Sequence, residues 1–585
     1  MVRPAVVLAV LLFGLSGVTP VAQPQWHRQT PPLSTPWTDT VSPTNALPEY
    51  PRPQLTRDQW QNLNGVWEFE PARTAEPPFG RQLGERILVP YPVESALSGI
   101  MRHETRMWYR RTFDVPETWR SQRILLHFQA VDYDTTVFVN GHEVAHHTGG
   151  YDSFTADLTD ALTTGPQELV VGVTDTTGNG QPLGKQRAPG AGVFYTPSSG
   201  IWQTVWLEPV APVRITRVDT TSNTTTGEVT LTVQGADGTP FRATASDHGR
   251  VVARAEGTAG HPTTITLPHP RLWSPDDPFL YDLRVTLSTG DTVGSYLGLR
   301  SVEVENHRIL LNGKPFVQLG PLDQGFWPDG LYTAPTDAAL EFDLQQEKAL
   351  GFTMVRKHLK VEPDRWYYHA DRLGLLVWQD MPAMTENVTP TPQARANFES
   401  ELYRVIDQHR SFPSIVTWVP FNEGWGDFDV ASVANEIAAW DPTRLVDAES
   451  GVNCCRSQPD TGHGDLRDDH TYPGPGTPPP DPVRATVEGE YGGLGLKVRG
   501  HEFDPSGSFA YELEPDSAAL TRRYVQLQQQ LATEVRRGLS AAVYTQLTDV
   551  EKEVNGFLTY DRRVRKLDFA VARRANLAMR SAAIR

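Results

Sequence analysis

Short segments in which apolar and polar residues alternate fill the first half of the chain. Across residues 55–209 the alternation recurs without any long amphipathic helix, and one segment runs straight into Asn140-Gly141, a strong signal for a two-residue hairpin turn. Residues 210–299 carry further alternating segments. A period of two is that of a strand with one buried face. The pattern therefore predicts an N-terminal jelly-roll β-sandwich over residues 55–209 and an immunoglobulin-like β-sandwich over residues 210–299.

From Arg300 onward, apolar runs that suit buried strands alternate with helical stretches. The predicted strands are Phe316–Leu319, Thr353–Arg356, Leu375–Trp378, Ile415–Phe421, Leu445–Ala448, Asp468–Thr471, Ala485–Glu490 and Ala541–Tyr544. The predicted helices are Asp337–Leu350, Arg365–Leu373, Gln393–His409 and Ser517–Arg537. Eight strands with helical crossovers predict a C-terminal (β/α)8 TIM barrel over residues 300–585. Barrels of this kind carry their chemistry at the C-terminal ends of the strands.

The N-terminus has the layout of a secretory signal peptide over residues 1–22. Arg3 precedes the apolar run Ala5–Leu15, and small residues lead to Ala22. The apolar run is too short for a comfortable membrane span, so no stable span is expected. Residues 23–54 are rich in Pro and Thr and predict an extended linker or arm. We expect a secreted, extracellular protein, with periplasmic or cell-surface retention left open.

Composition and charge narrow the class of protein and of partner. The 585 residues include 39% hydrophobic residues and 15 Trp, which is typical of a folded chain with several domains. The formal net charge of −17 argues against a nucleic-acid partner. The only cysteines, Cys454 and Cys455, are adjacent and have no histidine at ligand spacing. They predict no metal site, and a disulfide and a free pair both remain open.

Carboxylates stand at the ends of three predicted barrel strands. Glu423 follows the run Ser414–Phe421, Asp380 follows strand three, and Glu488 and Glu490 close strand seven. A glycosidase of the two-carboxylate kind needs a general acid on one side of the scissile bond and a second carboxylate on the other. Glu488 and Glu490 have the same parity along a strand. The glycines on both sides of Glu490 favour it, because they allow close backbone approach.

Short motifs in all three predicted domains point to a known family. In the jelly roll they are Leu63-Asn64-Gly65-Val66-Trp67, Trp108-Tyr109-Arg110-Arg111, Phe138-Val139-Asn140-Gly141, Gly149-Gly150-Tyr151 and Ser199-Gly200-Ile201-Trp202-Gln203. The second domain has Leu272-Trp273-Ser274-Pro275 and Pro278-Phe279-Leu280-Tyr281. The barrel has Leu311-Asn312-Gly313-Lys314-Pro315, Gly351-Phe352-Thr353-Met354-Val355-Arg356, Asp371-Arg372-Leu373-Gly374-Leu375, Pro413-Ser414-Ile415, Asn422-Glu423 and Glu490-Tyr491. By their number, order and spacing, the chain resembles glycoside hydrolase family 2, the clan of β-galactosidases, β-glucuronidases and β-mannosidases.

The resemblance implies a retaining double displacement with two glutamates, whose carboxyl groups would lie about 5–5.5 Å apart. Glu423 matches the acid/base, and Glu490 matches the nucleophile. Asn422 matches the residue that hydrogen-bonds the sugar 2-hydroxyl, although an Asn at this place could also cap a turn. Arg356 matches a basic residue that holds the nucleophile ionised, because a neighbouring cation lowers a carboxylate pKa.

The chain also departs from better-known members of the family. Leu359 stands three residues after Arg356, where they place a histidine, and His358 is a candidate to compensate. Trp425 follows Glu423 as a candidate sugar-stacking platform. The galactosidase metal ligands have no counterpart after strand three, and the glucuronidase Asn-x-Lys pair is missing beyond strand seven. No metal and no cofactor are therefore expected.

Four more polar residues lie at or near strand ends and are candidates for substrate binding, with core packing as the alternative: Asp380, His470, Tyr472 and Gln546. The sequence thus predicts a retaining glycoside hydrolase whose partner is a β-linked carbohydrate substrate. The alternatives are a catalytically inactive carbohydrate-binding protein on the same fold and an adhesion module built on the two β domains. Galactoside, glucuronide, mannoside and arabinoside substrates stay open, with glucuronides and metal-assisted galactosides disfavoured by the departures. The oligomeric state is open as well.

Overall fold

The computed structural model of the protein describes residues 25–582. The predicted signal peptide, residues 1–22, lies outside them. The described part of the predicted arm contains one short 3-10 turn, Thr38–Thr40, and lies against two domains. The Trp26 indole donates to the backbone oxygen of Ser98 at 2.9 Å, and Arg563 donates to that of Thr35 at 3.0 Å. The arm therefore runs along both the first domain and the barrel.

Two antiparallel sheets form the first domain. One contains, in spatial order, Gln61–Asn62, Val205–Val210, Arg123–Phe128 and Phe154–Asp157. The other contains Glu85–Val89, Gly65–Pro71, Arg106–Phe113, Gln167–Thr174, Asp134–Val139 and His142–Thr148, and a short pair joins Val131–Asp132 to Gly200–Ile201. Alternate side chains of the strand that begins at Gly65 are buried, as the period of two predicts. Asn140 and Gly141 make the predicted hairpin turn with φ of 51° and 81°. The predicted jelly roll is confirmed.

The second domain is the predicted immunoglobulin-like sandwich. Its three-stranded sheet contains Arg217–Asn223, Glu228–Gln234 and Thr263–Thr266. Its four-stranded sheet contains Arg250–Thr258, Pro240–Asp247, Tyr281–Leu287 and Thr292–Leu297. The two sheets bury a common apolar core that includes Leu231 and Val285.

A small antiparallel sheet joins this domain to the barrel. It contains Val302–Glu305, Arg308–Leu311 and Lys314–Pro315. Ile309 and Leu311 from this sheet pack with Met354 and Trp378 from inside the barrel. The sheet thus closes the end of the barrel at which the strands begin, and the opposite end is left for a functional site.

Eight parallel strands form the barrel. In chain order they are Gln318–Asp323, Met354–Lys357, Leu376–Asp380, Ile415–Val419, Leu445–Val446, Leu466–Thr471, Ala485–Gly492 and Ala541–Thr545. Each strand pairs with its sequence neighbours except that strands five and six are not paired with each other, and strand one pairs with strand eight. Between strands five and six, the amide of Asp465, the residue before strand six, donates to the Val446 oxygen at 2.7 Å. All eight predicted strands are present, and the TIM barrel is confirmed. Strand four ends earlier than predicted because Pro420 has no N–H to donate to the ladder.

Six helices surround the barrel: α1 Asp337–Ala349, α2 Asp364–Leu373, α3 Pro392–His409, α4 Val430–Trp440, α5 Ser517–Arg537 and α6 Phe569–Ser581. Thr336, Thr391 and Asp516 cap α1, α3 and α5 by accepting from amides of the first turn. The sequence pattern predicted four of the six and missed α4 and α6. Within residues 25–582, loops rich in Gly and Pro replace the helices after strands five and six, because Pro removes helix donors.

One long loop of the first domain reaches the open end of the barrel. It connects Gln167–Thr174 to Gly200–Ile201. The amides of Leu183 and Gly184 both donate to the Ala383 oxygen after barrel strand three, at 2.8 and 3.0 Å. Side chains from the jelly roll are thereby held beside the ends of the barrel strands.

No helix among the described residues combines the length and apolar character needed to cross a bilayer.

Candidate active site

Glu423 lies on a sharp turn at the end of barrel strand four. The amide of Glu423 donates to the backbone oxygen of Ser450 at 2.9 Å, which ties the turn to the loop after strand five. Glu423 has φ of 54°, a left-handed conformation that is uncommon for a residue with a side chain. Gly424 and Gly426 continue the turn with φ of 72° and 63°. Strained backbone of this kind clusters at functional sites, where the surrounding structure maintains it.

A bulge in strand seven sets the direction of the Glu490 side chain. The register shifts at Gly489, so that Asp469 pairs with Glu488 while His470 pairs with Glu490. The Gly489 amide donates to Asp468 at 2.5 Å, and a Cβ at this position would collide with the same carboxylate. Only glycine fits there, and the extra residue breaks the shared parity of the two glutamates.

The two neighbouring glutamates therefore have different surroundings. Glu488 accepts from the Gly476 amide at 3.0 Å, and burial raises its pKa to about 8. Glu490 lies 3.4 Å from Arg356 Nη1, and it also accepts from the Tyr472 hydroxyl. The surroundings of Glu490, and not those of Glu488, suit an ionised nucleophile.

His470 joins the two predicted catalytic carboxylates. Its Nδ1 lies 2.9 Å from Glu423 Oε1 and 3.9 Å from Glu490 Oε2. Its Nε2 lies 2.8 Å from the Ser450 hydroxyl, which holds the ring in place. Glu423 and Glu490, from different strands, therefore contact the same ring nitrogen, and the cavity of the candidate site is defined by these three side chains.

Arg356 anchors the floor of this cavity from strand two. Its fully buried guanidinium donates to Asp380 at 2.9–3.2 Å, to Asn422 Oδ1 at 2.8 Å and to the Gly489 oxygen at 3.3 Å. Burial raises the pKa of Asp380 to about 6, although Arg356 opposes the change. One cation thus connects strands two, three, four and seven.

The charges of Glu423 and His470 depend on each other. Burial lowers the pKa of His470, but the negative charges of Glu490, Glu423 and Asp468 outweigh burial and raise it to about 9. Burial raises the pKa of Glu423, but the hydrogen bond and charge of His470 outweigh burial and lower it. Near neutral pH the pair holds one proton on His470, next to an ionised Glu423.

Two buried groups face the cavity with polar atoms that have no hydrogen-bond partner among residues 25–582. They are Asn422 Nδ2 and His358 Nε2. His358 Nδ1 lies 3.0 Å from Gln324, and Nε2 lies 3.5 Å from Glu490. Burial, reinforced by nearby cations, lowers the pKa of His358 well below its usual value, so the ring is neutral. These two polar atoms are candidate ligand contacts.

The remaining candidates from the sequence lie at different distances from the two glutamates. Tyr472 donates to Glu490 and lies 2.7 Å from the Thr545 hydroxyl. Trp425 is only 8% exposed, because Phe194 from the jelly-roll loop packs on it with 5.1 Å between ring centroids. Gln546 is fully buried and donates to Asn555 at 2.7 Å. The structure thus brings Tyr472 to Glu490, covers much of Trp425, and engages Gln546 elsewhere.

Two features of the site were missed by the sequence patterns. Lys185 comes from the jelly-roll loop, and its Nζ lies 5.4 Å from the Trp425 ring centroid. Cys454 forms a disulfide with Cys455, and its Sγ lies 3.4 Å from Glu423 Oε1. No periodicity or motif spacing links residues so far apart in the chain, so only the fold could bring them together.

A carboxylate oxygen of Glu423, Cys454 Sγ and a ring nitrogen of His470 lie within 4.8 Å of one another, but the disulfide with Cys455 leaves Cys454 without a thiolate to bind a metal. The sequence had shown no histidine at ligand spacing from the cysteines, because His470 comes from the next strand. The expectation that the protein has no metal site stays a prediction.

Three family models match the chain. Their descriptions are "Glycosyl hydrolases family 2, sugar binding domain" over residues 81–208, "Glycosyl hydrolases family 2" over residues 211–300, and "Glycosyl hydrolases family 2, TIM barrel domain" over residues 302–461. Together they cover more than half of the chain. The third match includes Glu423 and ends before Glu490.

Curated relatives share about a quarter of their residues with this chain over the matched region. A beta-glucuronidase of Paenibacillus borealis is 27% identical over 64% of this chain and 69% of its own length. A beta-galactosidase of Thermoanaerobacter pseudethanolicus is 25% identical over 57% of this chain and 46% of its own length. A match to a Formosa agariphila protein spans 39% of that protein. The chain therefore spans less than two thirds of some relatives that it matches.

Solved structures share the fold. The beta-glucuronidase of Faecalibacterium prausnitzii superposes with a TM-score of 0.74 and 22% identity, and the match covers 91% of this chain and 99% of that one. A beta-glucuronidase of Lactobacillus rhamnosus superposes with a TM-score of 0.70 and 20% identity over 90% and 98% of the two chains.

Proposed function

Because the chain belongs to glycoside hydrolase family 2, we propose that it is a glycosidase that cleaves a β-O-glycosidic bond with retention of configuration. Glu490 is the nucleophile and Glu423 the acid/base of this proposal. The observation that carries it is the contact of both carboxylates with one nitrogen of His470. A retaining enzyme needs two carboxyl groups close together, with no room for a water between them and the sugar in the first step.

In the first step Glu490 attacks the anomeric carbon and forms a glycosyl ester. Arg356 and the Tyr472 hydroxyl stabilise the Glu490 carboxylate before attack. The single proton of the pair passes from His470 to Glu423 through their 2.9 Å contact and from Glu423 to the leaving oxygen, so Glu423 is ionised and His470 neutral at the end of the step. Esterification removes the negative charge of Glu490, which helps to raise the pKa of His470. The proton therefore leaves His470 more readily as the bond to Glu490 forms.

In the second step water attacks the glycosyl ester and releases Glu490. Glu423 accepts the proton of the water, and His470 again takes up the charge. Asn422 presents its free Nδ2 to the sugar while Arg356 holds its Oδ1 at 2.8 Å. A hydrogen bond from Asn422 to the 2-hydroxyl would strengthen as the transition state develops.

The roles of the glutamates are tested by substitution and by trapping. Glu490→Gly and Glu423→Ala should each lower kcat/KM on an aryl β-glycoside whose leaving group needs protonation by about 10³-fold or more. Glu488→Gln is the matched control and should keep activity within about threefold, since the raised pKa of Glu488 already leaves it largely protonated near neutral pH.

A 2-deoxy-2-fluoro glycoside with a good leaving group should label Glu490, as read by mass spectrometry of the peptides. A label on Glu488, or full activity of both glutamate variants, would overturn the assignment. Absence of turnover in the intact chain on every aryl β-glycoside would favour the carbohydrate-binding alternative instead.

We also propose that the protein is exported, on the strength of the charged, apolar and small residues in order over residues 1–22. The N-terminal sequence of the protein recovered from its natural host would test this, because an intact Met1 contradicts cleavage of a signal peptide.

A further inference from the structure

Lys185 is a buried side chain that the first domain holds at the mouth of the barrel. It is 7% exposed. The backbone before it is tied to barrel strand three through the two hydrogen bonds to Ala383, and its own oxygen accepts from the Tyr195 amide at 2.8 Å. These bonds fix where the Lys185 side chain begins, although the loop belongs to a different domain from Glu423.

The ammonium of Lys185 faces aromatic rings. Its Nζ lies 5.4 Å from the centroid of Trp425 and 5.8 Å from that of Tyr195. No acceptor among residues 25–582 lies within hydrogen-bond or ion-pair distance of this Nζ. Aromatic faces attract a cation but do not neutralise it.

The other buried lysines of the described chain are paired with carboxylates. Lys357 Nζ contacts Asp323 and Glu362, and Lys360 Nζ contacts Glu362 and two backbone oxygens. Lys566 Nζ contacts Asp549 and the Val554 oxygen. Among the buried lysines of residues 25–582, Lys185 alone has no carboxylate in contact with its Nζ.

A buried charge without a counter-charge is costly, so an unpaired one indicates that a ligand completes it. Lys185 lies beside Trp425, which is two residues after Glu423 in the chain. The ligand that would complete the charge of Lys185 is therefore the substrate of the same site. The positive charge of Lys185 contributes to the lowered pKa of both Glu423 and His358, which places it at the same cavity.

We propose that Lys185 is a specificity-determining residue whose ammonium binds an anionic substituent of the substrate, a carboxylate or a sulfate on the sugar. This inference rests on the proposed glycosidase function and adds the substrate class. The Asn-x-Lys pair, whose absence beyond strand seven disfavoured a glucuronide, is then not needed, because a lysine of another domain supplies the cation. A carboxylate and a sulfate offer the same acceptor chemistry.

The first experiment measures how Lys185 affects discrimination between substrates. Full-length protein, Lys185→Met and Lys185→Gln are assayed on 4-nitrophenyl β-glucuronide, β-galacturonide and β-glucoside 6-sulfate, and on the neutral glucoside and galactoside. We expect the intact protein to prefer one acidic substrate. Both variants should lower kcat/KM for it by about 10–100-fold, mainly through KM, and change the neutral reactions by less than about threefold. Lys497→Met, which replaces an exposed lysine, is the control and should leave every value unchanged.

The uronides and the sulfate ester distinguish the two sources of the anion, since only one of them should show the dependence on Lys185. Equal losses on neutral and acidic substrates, or a preference of the intact protein for neutral sugars, would overturn the proposal. A shift of the pH profile on all substrates is expected in both Lys185 variants, because the Lys185 charge contributes to the lowered pKa of Glu423, so the comparison of substrates is made at the pH optimum of each variant.

A binding measurement separates this inference from the proposed function. Calorimetry with glucuronate, galacturonate, glucose 6-sulfate and the neutral sugars should show affinity for an acidic sugar that Lys185→Met loses. If no glycoside is cleaved but this affinity is found, the glycosidase proposal fails and the anion site stands. If neutral glycosides are cleaved and no acidic sugar binds in a Lys185-dependent way, the anion site fails and the glycosidase proposal stands.

Discussion

The two glutamates of the site are held in different ways. Glu490 leaves a continuous barrel strand at a bulge and has Arg356 and Tyr472 as fixed partners. Glu423 lies on a left-handed turn, and its partner His470 carries a proton that it can exchange. Glu490 has a fixed cation and a fixed hydroxyl donor, whereas Glu423 is coupled to a second titrating group.

This difference fits the different tasks of a nucleophile and an acid/base. A nucleophile needs to be ionised and aligned, which buried cations and hydroxyl donors achieve. An acid/base needs to gain and lose a proton in each cycle, which a neighbour of similar proton affinity allows. The Glu490 side of the cavity, with its fixed partners, is therefore the rigid side, and the Glu423 side, where barrel strand six supplies His470, is the proton-exchanging side.

The largest effect is expected from removing the cation on the rigid side. Arg356→Ala would leave the buried carboxylates Asp380 and Glu490 without their shared cation, at a cost to the free energy of unfolding of about 3–5 kcal/mol. It should also lower kcat/KM by about 10³-fold, because Glu490, the proposed nucleophile, loses its stabilising charge. Thermal unfolding and steady-state kinetics on the folded fraction measure the two effects.

Arg562→Ala is the matched control for Arg356→Ala. Arg562 is also buried and pairs with Asp343 at 2.9 Å, but it lies outside the cavity. It should lose comparable stability and keep kcat of the folded protein within about threefold. An equal loss of kcat in both variants would mean that Arg356 acts through stability alone.

A smaller effect is expected from Tyr472→Phe. The substitution removes one hydroxyl donor to Glu490 and keeps the ring. A hydrogen bond to a charged group contributes about 1.5–3 kcal/mol, so kcat should fall by about 10–100-fold. Tyr511→Phe serves as the control. Tyr511 stacks on Tyr472 with 3.6 Å between centroids, but the hydroxyl that donates to Glu490 belongs to Tyr472. A change of less than threefold in Tyr472→Phe would show that Arg356 alone stabilises the nucleophile.

His470→Gln, on the proton-exchanging side, should change the rate at the optimal pH least of these variants. Its specific effect is on the pH profile. In the intact protein the Glu423–His470 pair keeps its proton up to about pH 9, the raised pKa of His470. Activity should therefore fall as the pH rises through that value. Without His470 the proton must stay on Glu423, whose own pKa is lower, so the alkaline limb of kcat/KM should move to lower pH by more than one unit.

His409→Gln is the control for that pH profile. Burial lowers the pKa of His409 to about 4, so this histidine is neutral throughout the working range. Its replacement should leave both limbs in place. An unchanged alkaline limb in His470→Gln would separate His470 from proton transfer and break the contrast between the two sides.

The sequence alone determined the architecture and the two strand ends that carry the glutamates. Alternation with a period of two predicted both sandwiches, and apolar runs between helices predicted all eight barrel strands, because each of these signals is local. Glu423 and Glu490 were placed at strand ends by the same local patterns. The helices α4 and α6 were missed, since an amphipathic stretch near a chain end or after a long turn resembles other polar segments.

Only the tertiary structure decided which carboxylate of strand seven faces the cavity and which other residues join it. The bulge at Gly489 depends on the Asp468 carboxylate of the neighbouring strand six, so parity along the chain could not separate Glu488 from Glu490. Lys185 reaches Trp425 through the docking of two domains. Such contacts join residues far apart in the chain, and no repeat or spacing encodes them. Local sequence patterns thus placed Glu423 and Glu490 at strand ends, whereas the position of the Lys185 ammonium depends on how the two domains pack.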